Sequence, residues 1–406
     1  MNTQFRRPGR RAGAAAALVT LALVAAACGE GDDSSSATAD ATVTVTAAAT
    51  GDADSGSSTG GNDTSTQKFF NDASVWNTRA DTEATDKSSA KMLELAMTRI
   101  GWEEKKTGLT KVVKKVDDPL WINTTEWTDP VVAGGVATEV TCRQTSCGDG
   151  EGSITLDVPE DVDPDPEYDG WYTILDTTNN IAYDLWRARR EDDGSISYHY
   201  MKIWNLDGSG WQTAGEVGAR GSGLPLFAGL IRPAELEAGE IDHALAIAVP
   251  APSSKWYVSP ASSTDGNGKN ASLPIGARIR LKANVTFKNP VDSNGKKIAL
   301  TADQKRYADA IVLALRTYGA IVVERAEVPT LFAQRDATDL EGDELQGLSL
   351  DDFEVVKLGK KYRYPTPDKV ATNAAATESA AADSTDSSDT ATASATATAT
   401  DTAGSN

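Results

Sequence analysis

The sequence predicts a mainly β fold with inserted helices, which we interpret as an antiparallel, jelly-roll-like β-sandwich. Three consecutive strand-like segments joined by short turn sequences indicate antiparallel pairing. Helical patterns are few and do not alternate regularly with the strands, which argues against a parallel α/β sheet. The three segments are 171–176, 181–191 and 195–206, with turns at Thr-Thr-Asn-Asn and Asp-Asp-Gly.

The first helix is predicted over Lys87–Ile100, because apolar residues recur there every three or four positions. Asp86 is placed to cap its start and Gly101 to end it. Two strands are predicted after this helix, Lys111–Val116 and Ser153–Val158.

The second half of the chain adds two helices and three strands. Proline in the first turn predicts a short helix, and the capping-box spacing of Thr301 and Gln304 predicts a long one. In the strand Ala277–Val285, apolar and polar residues alternate, so its basic residues lie on a single outer face. These elements are the helices Pro233–Ala238 and Thr301–Tyr318 and the strands Ile241–Val249, Ala277–Val285 and Ala320–Arg325.

The first 27 residues have the pattern of a secretory signal peptide. Four arginines precede an apolar run that is shorter than the ~20 residues of a membrane-spanning helix, and three alanines follow. Small residues directly before Cys28 resemble the bacterial lipobox, in which the thiol receives a diacylglycerol. We therefore expect a lipid on Cys28 to anchor the protein to the outer face of the cell membrane or to the outer membrane. A plain secreted protein is the alternative.

Composition divides the rest of the chain. Residues 28–67 and 366–406 are rich in Ser, Thr, Ala and Asp and hold few large apolar side chains. Such segments bury too little surface to offset their conformational entropy, so we expect a disordered tether and a disordered tail. Residues 68–365 are left as a single β-rich globular domain.

The net charge is −20, from 39 basic and 59 acidic residues, and becomes −24 when the four arginines of the signal are removed. A charge of this sign repels phosphate backbones, so we expect no nucleic-acid partner. The sequence contains no phosphate loop, dinucleotide fingerprint, HExxH motif or nucleophile elbow, and we expect no cofactor. Ser222 lies in a Gly-Ser-Gly-Leu-Pro turn that lacks the spacing of the elbow.

Two further cysteines, Cys142 and Cys147, lie five positions apart. Outside the cytoplasm a nearby pair of thiols favours a disulfide, which here would close a small loop. Zinc ligation is the alternative, but it needs more ligands, and His199 and His243 are the two histidines of the chain.

Several segments occur together in an order that resembles a widespread group of secreted bacterial and fungal proteins. The resemblance covers Phe69 to about Val323 and implies a carbohydrate-related role, because some members lie beside carbohydrate-active modules. It implies no specific reaction and no catalytic residue. The segments are NDASVWN at 71–77, YDLWRAR at 183–189, GSGLPL at 221–226, GLIRP at 229–233, GEIDHAL at 239–245, LPIGAR at 273–278 and ALRTYGA at 314–320.

Asp242, His243 and Asp184 are the candidate catalytic residues. A histidine beside a carboxylate can act as a general acid or base, although adjacent strand residues point to opposite faces. The alternative for His243 is a hydrogen-bonded core histidine. Asp184 and Asp242 are the pair of carboxylates that we would assign first to glycoside hydrolysis.

Five residues are candidates for substrate binding. Trp186 and Arg187 adjoin Asp184, and an exposed tryptophan stacks on sugar rings; the alternative is a core tryptophan beside a buried ion pair. Arg278 and Arg280, with Lys282, could instead neutralise a uronate while His243 or Tyr172 removes a proton. An ordinary solvated strand face is the alternative for these cations.

An acidic stretch carries oxygen ligands that suit calcium, but Pro166 occupies the glycine position of an EF-hand. We interpret this stretch as a solvated loop and predict no metal site. Its acidic residues are Asp161, Asp163, Asp165, Glu167 and Asp169.

Two functions follow from these patterns. The first is a lipid-anchored hydrolase or lyase of surface polysaccharide. The second is a lipoprotein that binds glycan or supports the envelope without catalysis. Convergence of the candidate residues in one open cleft would favour the enzyme, and burial of His243 among aliphatic side chains would favour the second function.

Overall fold

The computed structural model describes residues 67–106, 108–291 and 296–365. The proposed signal peptide, Cys28, nearly all of the tether and the tail lie outside this range. In the described part of the chain, no helix combines the length and the apolar character needed to cross a bilayer.

The structure is mainly β with few helices, as the sequence predicts. The helices are α1 Ser89–Ala96, α2 Pro233–Ala238 and α3 Ala302–Thr317, with a 3₁₀ turn at Leu350–Asp352. The strands are β1 Thr98–Lys105, β2 Gly108–Lys115, β3 Trp121–Asn123, β4 Val131–Ala133, β5 Val136–Cys142, β6 Ser153–Val158, β7 Tyr172–Asp176, β8 Ile181–Trp186, β9 Arg189–Arg190, β10 Ile196–Tyr198, β11 Tyr200–Asn205, β12 Leu245–Val249, β13 Trp256–Val258, β14 Arg278–Leu281, β15 Ala320–Arg325, β16 Thr330–Phe332, β17 Phe353–Val355 and β18 Lys361–Arg363.

Three larger sheets form the body of the described domain. A six-stranded sheet has the order β17-β14-β15-β12-β16-β3, and two four-stranded sheets have the orders β11-β8-β7-β4 and β6-β5-β10-β9. Most pairs are antiparallel, as predicted, but β12–β15, β16–β3, β4–β7 and β10–β5 are parallel. The sheets are therefore mixed rather than purely antiparallel.

The β11-β8-β7-β4 sheet buries both of its faces. On one face, Ile174 and Leu185 pack in a core with Val140 and Ile196 of the other four-stranded sheet. On the opposite face, neighbouring residues such as Leu175 join the core built around the six-stranded sheet. Because side chains alternate along a strand, this middle sheet connects the two cores.

The hairpin and two of the helices match their predictions closely. Strands β7 and β8 pair from Tyr172–Leu185 to Asp176–Ile181 around the predicted turn. In α3, Thr301 Oγ1 accepts a hydrogen bond from the Gln304 amide at 3.1 Å, and Gln304 Oε1 accepts one from the Thr301 amide at 3.0 Å. Helix α2 has the predicted bounds.

Some predicted elements are shorter in the structure. Helix α1 ends at Ala96, and Ile100 instead pairs with Val113 in the β1–β2 hairpin, so the prediction of a helix to residue 100 was wrong. The predicted strand 181–191 is interrupted at Arg187, whose φ of 52° lies in the left-handed region. Strand β12 begins at Leu245, which leaves Asp242 and His243 in the preceding loop.

Candidate functional site

The structure separates Asp242 from His243. The Nε2 atom of His243 lies 2.9 Å from Oε1 of Glu235, and Nδ1 lies 3.0 Å from the carbonyl of Ala244. Asp242 is exposed and accepts a hydrogen bond from the Tyr318 hydroxyl at 3.3 Å. The candidate catalytic residues Asp242 and His243 therefore have separate partners and do not act as a hydrogen-bonded pair.

His243 belongs instead to a clamp made with Arg232 and Glu235. Burial raises the pKa of Glu235, but His243 and Arg232 outweigh this effect and bring it down to about 2. Arg232 also donates to the carbonyl of Gln67, and its guanidinium lies 5.0 Å from the centre of the Phe69 ring. The clamp holds the first described residues of the chain against the domain.

Arg278 and Arg280 bind protein groups rather than facing open solvent. Arg278 donates to the carbonyls of Val75 and, at 2.8 Å, Thr78, and burial lowers its pKa to about 10. Arg280 pairs with Glu354 at 2.8 Å. The expectation that this basic face is free to hold a uronate was wrong, because the segment around residues 75–80 covers it.

Tyr172 cannot act as an exposed base. Its side chain is fully buried, and its hydroxyl donates to the carbonyl of Val162 at 2.7 Å. Burial raises the pKa of this phenol well above its usual value. With Tyr172 and the two arginines occupied, the elimination chemistry considered from the sequence loses two of its three cations and one of its two bases.

Asp184 is fully buried, whereas Asp242 is exposed, so these two carboxylates do not flank one open cleft. Asp184 accepts hydrogen bonds from Thr173 at 2.8 Å, the Trp204 indole at 2.9 Å and the Leu226 amide at 2.7 Å. Burial raises its pKa to about 6. Asp184 thus holds the loop that ends at Leu226 against the middle sheet.

Arg220 is the first residue of this loop, and its guanidinium is buried. It lies 5.0 Å from the Trp171 ring centre and 5.3 Å from that of Phe332. Its Nε is 3.4 Å from Oε1 of Glu324, and its Nη1 donates to the Pro225 carbonyl at 3.4 Å. Arg220 is thus a fixed positive charge beneath an acidic residue of strand β15.

Glu324 has an environment that favours its neutral form. Burial raises its pKa, Arg220 lowers it, and the nearby Asp265 and Asp169 raise it again, to about 8. The Glu324 side chain is 13% exposed to solvent. A carboxyl group that keeps its proton near neutral pH and still reaches solvent can act as a general acid.

Asp265 lies next to Glu324 but has a different environment. Its Oδ2 is 3.5 Å from Nε of Arg325, and the Arg325 backbone amide also bonds to the carboxyl group. Burial raises the pKa of Asp265, and Arg325 opposes that shift. A Cβ on Gly221 would lie only 2.7 Å from the Cβ of Asp265, so glycine is needed there for the two loops to meet.

Asp169 and Arg187 complete the site in unusual backbone conformations. Their φ values are 69° and 52°, and the Arg187 amide donates to the Asp169 carbonyl at 2.9 Å. The Arg187 guanidinium lies 5.0 Å from the Trp186 ring centre, and the Trp186 indole bonds to the Asp169 carboxyl. Paired left-handed residues other than glycine are uncommon and concentrate at functional sites.

We name these groups the arginine–carboxylate cluster. Arg220 is buried at the base of the cluster. The cluster opens to solvent at Asp265 and Arg325, whose side chains are 32% and 54% exposed. Half-buried Trp186 borders it. The members are Asp169, Arg187, Arg220, Asp265, Glu324 and Arg325.

Sequence reasoning singled out Trp186 and Arg187 but missed the carboxyl groups of the cluster. The signal for Glu324 and Arg325 is a charged pair that ends the apolar run of β15. The signal for Asp265 is weaker, a polar Ser-Ser-Thr-Asp-Gly segment that reads as an ordinary loop. Asp169 was considered only as a member of the acidic stretch.

The predicted disulfide between Cys142 and Cys147 is present, with Cα atoms 6.0 Å apart. Within the described ranges, no group of three or more His, Cys, Asp or Glu residues is arranged to hold a metal ion. In the acidic loop, Asp163 pairs with Arg190, and Asp165 accepts a hydrogen bond from the Glu167 amide.

Comparisons of the chain with protein-family models, with curated proteins and with solved structures gave no match.

Proposed function

We propose that the protein is a lipid-anchored glycoside hydrolase that cleaves polysaccharide at the cell surface. The observation that carries the proposal is the pair formed by Glu324 and Asp265 in the arginine–carboxylate cluster. Glycoside hydrolysis requires one protonated and one ionised carboxyl group beside the same bond. Burial raises the pKa of Glu324 to about 8, which suits the protonated role. Burial also raises the pKa of Asp265, and we assign it the ionised role on its contact with Arg325, which opposes that shift.

In this proposal Glu324 donates its proton to the glycosidic oxygen as the bond from that oxygen to the anomeric carbon breaks. Asp265 faces the positive charge that develops on the sugar ring. Water supplies the hydroxyl group of the new reducing end, and its remaining proton restores the acid. Arg220 stabilises the Glu324 carboxylate that is left after proton transfer.

The border of the cluster supports a sugar as the substrate. Trp186 is half-buried and edge-packed on His199 with 6.2 Å between ring centres, which fixes the orientation of the indole. A fixed indole stacks on the apolar face of a pyranose ring. The Arg187 guanidinium lies over one face of the Trp186 ring, so the sugar stacks on the other face in this proposal. The net charge of −24 after removal of the signal disfavours polyuronates, so we propose a neutral polysaccharide.

Hydrolysis accounts for these groups better than elimination does. The cations assigned to a uronate, Arg278, Arg280 and Lys282, each donate a hydrogen bond within the protein itself. The proposed membrane location rests on the signal pattern and Cys28, and the carbohydrate role also draws on the resemblance to secreted proteins.

The test is incubation of the purified mature chain with neutral and uronate-containing polysaccharides, with product size followed over time. We expect one neutral polysaccharide to be shortened. Intact chains throughout, with the protein folded by circular dichroism, would refute hydrolysis.

A glycan-binding role without catalysis is the second candidate. The specific observation that favours it is that charged groups of the cluster already pair with each other. Arg220 contacts Glu324, and Arg325 contacts Asp265. Retarded migration of the protein in gels that contain a polysaccharide left intact would favour this role.

A further inference from the structure

Strands β1 and β2 form a hairpin that stands apart from the other sheets. The two eight-residue strands pair along their whole length, from Thr98–Lys115 to Lys105–Gly108. They form a two-stranded sheet of their own and pair with no other strand in the described part of the chain. A two-stranded sheet alone is marginally stable in water, so the hairpin needs a further partner.

The charge of the hairpin is opposite to that of the chain. Residues 98–115 contain six basic and two acidic side chains, a net charge of +4 in a chain whose net charge is −20. Lys105 and Lys111 are exposed, and Lys114 pairs with Glu103 at 3.0 Å. A basic patch on an acidic protein is a local attraction site for anions.

The hairpin also exposes large apolar side chains. Leu109 is 71% exposed and Val113 is 52% exposed, which makes them two of the most exposed apolar residues in the described chain. They are four residues apart on β2 and therefore lie on the same face. The backbone register places Ile100 opposite Val113 on that face.

The root of the hairpin is fixed to the domain. Arg99 donates to the Glu327 carbonyl from Nε at 3.2 Å and from Nη2 at 3.0 Å. The Val116 amide donates to the Met97 carbonyl at 2.8 Å. The hairpin is therefore presented by the domain at a defined root, with Leu109 near its far end.

We propose that this hairpin docks on a bilayer surface with anionic headgroups. Leu109 and Val113 enter the interface, and Lys105, Lys111 and their basic neighbours meet the headgroups. Apolar side chains flanked by lysines are the combination that binds such surfaces. This inference goes beyond polysaccharide cleavage and rests on the proposed membrane location, since a lipid and a basic patch together give a stable anchor.

The experiment uses the mature chain from residue 28 with Cys28→Ser, which removes the lipid attachment site. Sedimentation with phosphatidylcholine vesicles containing phosphatidylglycerol is compared with sedimentation with pure phosphatidylcholine vesicles. We expect binding to the anionic vesicles that weakens with added salt. Lys105→Ala and Lys111→Ala each reduce it roughly fivefold, and Leu109→Ser with Val113→Ser abolishes it.

Matched controls are Leu313→Ser, an exposed leucine of α3 with 55% exposure, and Lys288→Ala, an exposed lysine elsewhere. Both are expected to bind as the parent does. Absent binding, equal binding to both kinds of vesicle, or equal losses in the controls would overturn the proposal. Concentration-dependent dimerisation abolished by Leu109→Ser would overturn it too. The assay contains no polysaccharide, so its failure is distinguishable from failure of the proposed hydrolase.

Discussion

Glu324 lies against the buried guanidinium of Arg220 at 3.4–3.5 Å, with side-chain exposures of 13% and 1%. This separation is longer than the 2.7–2.9 Å of a strong charge-assisted hydrogen bond. Burial, Asp265 and Asp169 together outweigh Arg220 and keep the pKa of Glu324 at about 8. The pair is therefore a protonated carboxyl group held beside a fixed cation.

This relationship predicts that Glu324→Gln stabilises the protein at alkaline pH. In the unfolded chain the carboxyl has its ordinary pKa of 4.5, and in the fold about 8. Between these values the folded state binds a proton that the unfolded state has lost, so stability falls as pH rises. Glutamine resembles the protonated carboxyl group, so the variant does not lose this stability as pH rises. We expect a gain on the order of 2 kcal/mol above pH 8 in urea unfolding, and an equal gain near pH 4 would contradict the explanation.

Substitution by asparagine is expected to affect stability differently at Asp184 and at Asp129. Thr173 Oγ1 lies 2.6 Å from Asp129 and 2.8 Å from Asp184, yet a hydroxyl has a single proton to donate. Burial and the neighbouring Asp184 raise the pKa of Asp129 well above its usual value. We infer that Asp129 holds a proton and donates it to Thr173, so that the single proton of the Thr173 hydroxyl is donated to Asp184.

Asp129→Asn keeps a donor towards Thr173, so we expect less than about 1 kcal/mol of destabilisation. Asp184→Asn turns an amide towards the Trp204 and Leu226 donors and should cost about 3 kcal/mol. Urea unfolding of the two variants measures the difference, and equal losses would show that the proton is placed otherwise.

The clamp of Arg232, Glu235 and His243 predicts loss of stability in acid. The pKa of Glu235 is lowered from 4.5 to about 2, so its contribution is complete above pH 4.5 and lost as pH falls towards 2. Glu235→Gln should cost about 3 kcal/mol at neutral pH, because it leaves two buried partners unpaired. Thermal melts should converge for the variant and the parent near pH 2. The exposed Glu240→Gln is the control, and a similar loss there would argue against the clamp.

The disulfide has a calculable effect on the unfolded state. It closes a loop of sequence separation 5, for which chain entropy predicts about 2 kcal/mol. Cys142→Ala with Cys147→Ala should lower stability by that amount without changing the sheets, as measured by urea unfolding and circular dichroism. Because Cys147 is fully buried, the double variant also loses packing. Unfolding of the parent under reducing conditions opens the disulfide but keeps both side chains, so it reports the loss of the cross-link separately.

The fold was predictable from sequence where local signals agree. The turn between β7 and β8, the capping box at Thr301 and the apolar run of β15 each combine a boundary signal with a periodic pattern. The predicted range of helix α1 was too long, because residues 97–100 continue its apolar spacing. Cross-strand pairing of Ile100 with Val113 decides the structure there, and that pairing is not visible locally.

The candidate site was less predictable because its members come from five separate parts of the chain. Trp186 and Arg187 stood out as an aromatic residue and a cation beside a carboxylate. Glu324 and Asp265 acquire their properties only through burial and mutual proximity. Asp242 and His243, adjacent in sequence, pair with Tyr318 and Glu235 instead.

In the proposed hydrolysis, Glu324 and Asp265 cleave a glycosidic bond together. The most direct measurement is the initial rate of polysaccharide shortening by the parent, Glu324→Gln and Asp265→Asn, with the exposed Asp242→Asn as the matched control. We expect losses of at least about 100-fold in the first two variants and unchanged activity in the control. The rate of the parent should fall as pH rises through about 8. Shortening at the parental rate by folded Glu324→Gln would contradict the proposal.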